Sequence, residues 1–496
     1  MLPKKVVVIG SGFSGLSAAC FMAKAGWEVE IFEKNSSPGG RARKMEVDGF
    51  TFDMGPSWYW MPDVFERFFG FFGKKVNDYY TLQRLDPSYR IYYEDGPIDI
   101  PANYKELRNL FEKLEQGSAI QLDAFLEEAA YKYKTGIQNL VLKPGLSITE
   151  FIDWDVAKGL FRLDLFSSMK KHVASYFNNP KLRELMEFPV LFLGALAEET
   201  PALYSLMNYA DIKGGTWFPK GGMYSIIDGM VKLAQELGVT FHYNESVQEI
   251  IVEDGVAKGV KTKLGNINAD VVIGSADYHH IENKLLKKSE RNYSEDYWEK
   301  RVMAPGCLLY YVGLNKKLKN IQHHTLFFDV PFEPHAQTIY KSKKWPEEPL
   351  FYVSATSVTD PTLAPKGYEN LFFLIPVAPG LSNDNEELRE HYFSLIVSRF
   401  EKQTGEQITE NIIYKKSYAH SDFRNDYNSY KGNAYGLANT LMQTAILKPS
   451  IKSNKVKNLY FTGQLTVPGP GVPPCIISGE VVAKQVSKDF KIPVIL

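Results

Sequence analysis

Three glycines near the N-terminus have the spacing of a loop that binds a diphosphate. Gly10, Gly12 and Gly15 form a G-x-G-x-x-G motif, with Ser11 and Ser14 between them. In such a loop the first glycine permits a tight turn, the second lets backbone N–H groups approach the pyrophosphate, and the third lets the helix pack closely. The phosphates lie at the N-terminus of that helix, where unpaired N–H groups and the helix dipole favour anions.

The segments on either side of the motif are the elements that must position it. Residues 5–9 are a short β-branched apolar run that predicts a strand, and residues 16–26 predict a helix. Residues 28–32 predict a second strand, which ends at Glu33, where an acid can accept hydrogen bonds from a ribose. Strand, turn, helix, strand and acid follow at the expected spacing. They predict a dinucleotide site, and the alternative is an ordinary βαβ loop.

Basic residues after Glu33 favour FAD over a nicotinamide cofactor. Lys34 follows the acid directly, and Gly40, Arg41 and Arg43 come shortly after it. The glycine allows the backbone to pass close to a ligand. The arginines carry forked donors that suit a diphosphate or the carbonyls of a flavin. A solvated surface is the alternative, but the position of these residues immediately after the ribose acid favours the ligand.

The motifs GSGFSGLSAA (10–19), EKNSSPGGRAR (33–43) and GFTFDMGPS (49–57) resemble those of the flavin-containing amine-oxidase superfamily. More narrowly, they are similar to those of phytoene-desaturase-type bacterial carotenoid desaturases, and the resemblance runs along the whole chain. Such enzymes bind FAD non-covalently and remove hydrogen from long isoprenoid chains. The resemblance implies an α/β fold, with a Rossmann-type FAD-binding domain of the glutathione-reductase kind, an inserted α+β substrate domain and a helical cap.

The resemblance extends to the C-terminal region. Residues 458–463 predict a strand that ends at Gly463, and residues 475–486 predict a helix. In the family this stretch passes the ribityl chain and places a helix N-terminus at the flavin ring, where it stabilises the negative charge of the reduced ring. Val247 matches a valine whose backbone meets the adenine. Gln464 stands where many amine oxidases carry a glutamate, a departure that the carotenoid branch tolerates. The expected cofactor-binding residues are Gly10, Ser11, Gly12, Ser14, Gly15, Glu33, Lys34, Gly40, Arg41, Arg43, Gly55, Pro56, Ser57, Val247, Gly463, Gln464, Gly471, Val472 and Pro473.

Composition excludes several other classes of protein. The 496 residues carry a formal net charge of −1, so there is no polycationic footprint for nucleic acid. Three scattered cysteines indicate a reducing compartment without a disulfide framework. His323, His324 and His335 lack an acid or cysteine at a familiar metal-ligand spacing, so no metal is expected. The longest apolar stretch, residues 188–197, is far shorter than the roughly 20 residues of a membrane span.

The resemblance and the apolar runs together predict a domain organisation. The resemblance implies a discontinuous FAD-binding domain formed by residues 1–75, 220–300 and 441–496. Residues 76–219 form a mainly helical cap that faces the membrane, because helical periodicity dominates there between prolines. Residues 301–440 carry β-rich apolar runs between proline and glycine turns, which predict a mixed sheet for substrate binding.

Three functions fit these features. The first is an FAD-dependent desaturase that acts on a linear carotenoid, either phytoene or a later acyclic or monocyclic carotene such as a 1-hydroxy-carotenoid desaturated at C3–C4. The second is a carotenoid isomerase, a saturase or another flavin oxidase of the same fold. The third is a non-enzymatic isoprenoid-binding escort. No second G-x-G-x-x-G follows a strand, so electrons are expected to pass to a quinone or to oxygen.

Two further expectations concern the proton and the membrane. Glu150 matches by position an acid considered as the proton acceptor in relatives, but a helix-start role fits it better and no catalytic residue is assigned. A long polyene is almost insoluble in water, so the protein is expected to be cytoplasmic and peripherally associated with the membrane. The stretches expected at the bilayer are Trp58–Phe72, with Phe68, Phe69 and Phe71, and Phe188–Leu196. For the aromatic helix at 63–72, core packing and the wall of a substrate tunnel are the alternatives.

Overall fold

The computed structural model describes residues 4–147, 150, 167–193 and 196–492. The strands in chain order are β1 (Lys5–Ile9), β2 (Glu28–Phe32), β3 (Lys44–Val47), β4 (Phe50–Asp53), β5 (Leu82–Arg84), β6 (Tyr89–Tyr93), β7 (Gly96–Ile100), β8 (Trp217–Pro219), β9 (Thr240–His242), β10 (Glu249–Glu253), β11 (Val256–Thr262), β12 (Gly265–Asn268), β13 (Val271–Gly274), β14 (Gly306–Leu314), β15 (His324–Phe328), β16 (Phe351–Ser354), β17 (Glu369–Val377), β18 (Ile412–Tyr418) and β19 (Leu459–Phe461).

The described α-helices are numbered in the same way. They are α1 (Phe13–Lys24), α2 (Pro62–Phe71), α3 (Tyr104–Leu114), α4 (Ser118–Thr135), α5 (Met169–Tyr176), α6 (Pro180–Glu187), α7 (Leu206–Ile212), α8 (Tyr224–Glu236), α9 (Tyr278–Leu285), α10 (Glu295–Glu299), α11 (Phe332–Gln337), α12 (Thr356–Thr359), α13 (Glu386–Thr404), α14 (His420–Tyr427) and α15 (Val472–Asp489).

A parallel sheet with the strand order β19-β13-β1-β2-β9 positions the glycine motif. Val6, Val7 and Val8 of the central strand are fully buried, as expected for a parallel sheet covered on both faces. Helices α1 and α15 touch closely at Gly479, where an added Cβ would lie 2.5 Å from the carbonyl oxygen of Ser14. The sheet draws on residues 5–32, 240–274 and 459–461, while the domain limits themselves remain a prediction.

A second, mixed sheet has the strand order β18-β14-β17-β16-β15-β6-β7. Strands β6 and β7 form a hairpin, with Glu94 and Asp95 as the turn between Tyr93 and Gly96. These two strands extend the sheet beyond the range 301–440 in which it was expected. One sheet face packs against helix α13 through Phe327 and Phe400. The opposite face, which carries Leu326, faces the interior.

Helix α2 lies in the core rather than at a lipid surface. Phe68 and Phe69 are 2% and 0% exposed, and Phe71 is partly buried. The rings of Phe68 and Phe71 pack against Phe21 of α1 at centroid distances of 5.9 and 4.6 Å, and Phe69 stacks on Tyr79 at 4.7 Å. The expectation that Phe68 and Phe69 touch the membrane is therefore wrong, whereas for Phe71 it stays a prediction. Helix α2 is covered by other elements on more than one face, and this accounts for the aromatic residues on each of those faces.

The second stretch expected at the membrane is also buried where the structure describes it. Phe188, Val190 and Leu196 are at most 4% exposed. Residues 194 and 195 lie outside the described residues, as do residues 148, 149 and 151–166 of the predicted helical cap. Within the described ranges, every helix falls short of the length and apolar character that crossing a membrane requires.

Candidate cofactor and substrate site

The glycine loop is organised by the acid at the end of the second strand. Gly10 has φ = +99°, which lets the chain turn sharply after β1. The backbone N–H and the hydroxyl of Ser11 both donate to Oε2 of Glu33, at 3.0 and 2.7 Å. Glu33 is only 5% exposed, so its carboxylate lies inside the loop that precedes α1. The strand, turn, helix, strand and acid predicted from the sequence are all present.

The shape of the loop fits a ligand at Gly12. A Cβ added to Gly12 would meet no atom within 4 Å, although the residue lies at the N-terminus of α1. A Cβ added to Gly40 would lie 3.4 Å from the Cα of Gly12, and one added to Gly463 would lie 3.1 Å from the hydroxyl oxygen of Ser14. Three separate stretches of the predicted cofactor site therefore meet around this open space, and their residues fit a dinucleotide.

Arg41 brings a charged, half-buried guanidinium to the same region. Its Nη2 donates to the hydroxyl of Ser429 at 3.1 Å. With the amide of Gln464 oriented to face it, the Gln464 oxygen accepts from both terminal nitrogens of Arg41, at 3.1 and 3.0 Å. Burial lowers the pKa of Arg41, and the nearby Asp277 opposes that shift. Arginine nevertheless stays charged in proteins, so Arg41 places a permanent cation beside Gln464.

Lys34 and Arg43 lie against α14 and the residues at its end. The Nζ of Lys34 donates to the backbone carbonyl of Asn425 at 2.6 Å. Arg43 forms an ion pair with Asp426 at 2.6 Å and lies over the ring of Tyr427. These contacts bind the 34–43 loop to the region that also contacts Arg41. Their roles as direct cofactor ligands stay predictions.

Residues 53–57 join this loop to the substrate side of the molecule. A Cβ added to Gly55 would lie 2.1 Å from the carbonyl oxygen of Arg41, so only glycine fits there. Asp53 accepts hydrogen bonds from the backbone N–H groups of Met223 and Tyr224 at the start of α8, and burial raises its pKa to about 6. Pro56 and Ser57 follow, both partly buried.

The C-terminal segment, from Gly463 to the start of α15, contributes the last part of the predicted cofactor site. Gly463 donates its N–H to the hydroxyl of Ser478 in α15 at 3.0 Å. The helix begins at Val472, directly after Gly471, so Pro473 lies in its first turn and the helix starts three residues earlier than predicted. Proline is tolerated there because the first N–H groups of a helix have no intrahelical partner.

Val247, predicted to meet the adenine, is 6% exposed. It packs in one cluster with Ile9 of β1 and Phe32 of β2, the residues at the carboxyl ends of these two strands. This position lies on the side of the sheet where Glu33 follows β2. Its adenine contact stays a prediction.

Several residues of the site come from distant segments that sequence reasoning did not assign. Asp277 accepts from the backbone N–H groups of His280 and Tyr430, and thereby holds the 430 segment near Arg41. Burial raises its pKa, and Arg41 opposes that shift. Asp277 comes shortly after the end of β13, as Glu33 comes after the end of β2. This position after a parallel strand is the sequence feature that could have identified Asp277 as a site residue. Ser429 and Ser478 carried no comparable signal.

An apolar cavity lies beside this site. Two of the tyrosines that line the cavity lie close to residues that the sequence predicts to contact the flavin. The hydroxyl of Tyr352 lies near the side chain of Ser57, and Tyr435 precedes Gly436, where an added Cβ would lie 2.9 Å from Cγ of Gln464. The lining of this cavity is almost wholly apolar, which suits a hydrocarbon. Its lining includes Phe188, Leu326, Phe328, Tyr352, Leu374 and Tyr435.

The remaining candidates have structural partners. The Glu150 carboxylate accepts from the backbone N–H groups of Gly145, Leu146 and Ser147 at 2.8–3.1 Å, which closes a local loop. His335 bonds to the carbonyl of Pro376. Across the described ranges, no group of three or more potential metal ligands comes together.

Known proteins that resemble this chain in sequence include carotenoid desaturases, and a solved oxidoreductase resembles it in fold. A carotenoid 3,4-desaturase of Haloarcula japonica is 43% identical over 489 residues, which cover 98% of each chain. A zeta-carotene-forming phytoene desaturase of Myxococcus xanthus is 32% identical, over 97% of this chain and 93% of the relative. A crystal structure of an oxidoreductase from Methanosarcina mazei has a TM-score of 0.63 at 17% identity, over 97% of this chain and all of that one, and supports the fold alone.

The match to a family model covers nearly the whole chain, from residue 13 to residue 487, and that model is described as flavin containing amine oxidoreductase. The expected Rossmann-type fold and the expected cofactor, FAD, are confirmed. The chain is an oxidoreductase, and it belongs to the family of flavin containing amine oxidoreductases.

Proposed function

We propose that this chain is an FAD-dependent carotenoid desaturase that introduces a C3–C4 double bond into an acyclic or monocyclic carotenoid. The observation that carries the proposal is the 43% identity, along nearly the full length, with a carotenoid 3,4-desaturase. A phytoene-type reaction is the runner-up, because the phytoene desaturase relative is 32% identical. An isomerase, a saturase or an isoprenoid escort is less well supported, because both of these relatives are desaturases.

The apolar cavity supports a hydrocarbon substrate. Bound FAD supplies a hydride acceptor. The protein's contribution is to align one carbon–carbon bond of the polyene with that acceptor and to exclude water. Tyr352 and Tyr435 mark the end of the cavity at which the reacting bond would lie, because they adjoin Ser57 and Gly436. The electrons then pass to a quinone or to oxygen.

An exposed apolar patch supports contact with a lipid surface. Five of the ten most exposed large apolar side chains among the described residues belong to it, so these side chains are clustered rather than scattered. Gly145 lies against the carbonyl of Ala445, and the Gln443 side chain bonds to both backbone groups of Val302, which brings the segments together. The patch consists of Leu146, Val302, Met442, Ile446 and Leu447.

The patch also adjoins a route to the interior. A second cavity, lined by Val302 and Thr440, shares Ile339 and Tyr340 with the apolar cavity. Its rim includes the basic residue Arg301, which suits an anionic headgroup. We therefore place the peripheral membrane contact and the entry of the carotenoid here, instead of at α2.

Replacing both Met442 and Leu447 by serine should weaken binding to liposomes at least about tenfold, since burying such a side chain contributes about 1.5–3 kcal/mol. FAD content should stay unchanged. Pelleting with liposomes measures the effect, and Leu264→Ser, at a residue that is 63% exposed and outside the patch, is the control. Equal pelleting of the double variant and the control would place the membrane contact elsewhere.

The proposed reaction is tested with candidate substrates. The FAD-loaded protein is incubated in liposomes with phytoene or with a 1-hydroxylated acyclic carotenoid, and product spectra and masses are recorded. We expect the hydroxylated substrate to lose two hydrogens and to gain one conjugated double bond. Conversion of phytoene alone would favour the runner-up.

A further inference from the structure

His324 is a buried histidine that is held in place on two sides. It is 0% exposed, and its Nδ1 lies 2.6 Å from the hydroxyl of Tyr352. Its ring stacks on Trp58 with a centroid distance of 4.0 Å and an angle of 8° between the planes. Its other nitrogen, Nε2, is buried without a hydrogen-bond partner among the described residues. Such unpaired buried atoms are uncommon and call for an explanation.

The strand β15 places this ring beside the apolar cavity. Side chains alternate along a strand, so His324 shares a face with Leu326 and Phe328, which line the cavity. Tyr352 pairs with Leu326 across the sheet, lines the same cavity and has its hydroxyl near the side chain of Ser57. Trp58, the stacking partner, directly follows Ser57. His324 therefore lies where the hydrocarbon cavity meets a predicted flavin segment.

We propose that His324 accepts the proton that leaves the polyene during desaturation, and that Tyr352 fixes the orientation of its ring. This inference rests on the proposed desaturase function. FAD, when bound, would supply the acceptor for the hydride that one carbon loses with its electron pair. The neighbouring C–H bond breaks, its electron pair forms the new π bond, and its proton binds to the Nε2 lone pair. The polyene is oxidised by two electrons, which the bound FAD would accept, and the imidazole becomes an imidazolium.

The surroundings of His324 suit an acceptor that is neutral before the reaction. Burial lowers the pKa of His324 well below 6.5, and the adjacent His323 lowers it further. In the tautomer with its proton on Nδ1, the ring donates to the Tyr352 oxygen and leaves Nε2 with a lone pair. A second group that orients the base is a recurrent feature of general-base catalysis.

The test follows anaerobic bleaching of the flavin by a carotenoid in the FAD-loaded protein, for the wild type and for His324→Phe. We expect the variant to retain FAD and to shift the carotenoid absorption on binding as the wild type does. Its bleaching rate should fall by about 10²-fold or more, with little change in KM. Tyr352→Phe should show a smaller loss. His323→Phe is the control, because His323 is 4% exposed and bonds instead to Thr359.

Bleaching of His324→Phe at the wild-type rate overturns the proposal, whereas a wild type that does not bleach overturns the desaturase function itself. If His324→Phe fails to fold, the wild type decides the question by ¹⁵N NMR of its histidines, with Tyr352→Phe used to identify the signal. An unprotonated Nε2 at His324 is expected. A tautomer with its proton on Nε2 overturns the proposal.

Discussion

Gly12→Val should give a folded protein that does not retain FAD. The backbone at Gly12 has φ = −74°, which valine adopts readily, and an added Cβ meets no protein atom within 4 Å. The branched side chain would instead fill the space that the pyrophosphate needs at the N-terminus of α1. The ratio of flavin to protein after purification measures the effect, and circular dichroism checks the fold.

Gly15→Val is the matched comparison within the same motif. A Cβ at Gly15 would lie 2.2 Å from the carbonyl oxygen of Gly10 and 2.9 Å from the hydroxyl of Ser275, so this change should disrupt folding itself. The two glycines thus separate a ligand role from a packing role. Stoichiometric FAD in purified Gly12→Val would refute the site.

Arg41→Ala should weaken the binding of FAD by about 1.5–3 kcal/mol, the range for a hydrogen bond to a charged group. The guanidinium is half-buried and lies beside Gln464 and Ser429, so its removal leaves those polar groups, and Asp277, without their cation. In dissociation constant this is roughly a 10- to 150-fold loss. Flavin release on serial dilution measures it.

Arg41→Lys is the informative control for that change. Lysine keeps the charge but loses the planar fork that contacts both partners. We expect it to retain FAD better than alanine and less well than arginine. Unchanged flavin occupancy of Arg41→Ala on dilution would exclude Arg41 as a cofactor ligand.

The cofactor half of the site was predictable because its signals are local. The strand, the glycine turn, the helix and Glu33 lie within about thirty residues, and each has a distinct pattern in the sequence. The hairpin at Asp95-Gly96 has a similarly local turn signal. The order of these elements is enough to bring Gly12 and Glu33 together.

The substrate half was not predictable in the same way. An aromatic helix buried by other elements and one buried in lipid have the same composition, and this led to the error at Phe68 and Phe69. The role proposed for His324 depends on Tyr352, which lies 28 residues away in another strand. The apolar patch joins residues 146, 302 and 442–447, which no periodicity connects.

The central claim, FAD-dependent desaturation of a carotenoid, is tested most directly by one anaerobic measurement. Purified protein loaded with FAD is mixed with a 1-hydroxylated acyclic carotenoid in liposomes, and the flavin and polyene absorptions are followed together. We predict that the flavin absorption bleaches while the polyene absorption shifts to longer wavelength, with one double bond formed for each FAD reduced. A flavin that stays oxidised while the carotenoid remains unchanged or only isomerises would contradict the account.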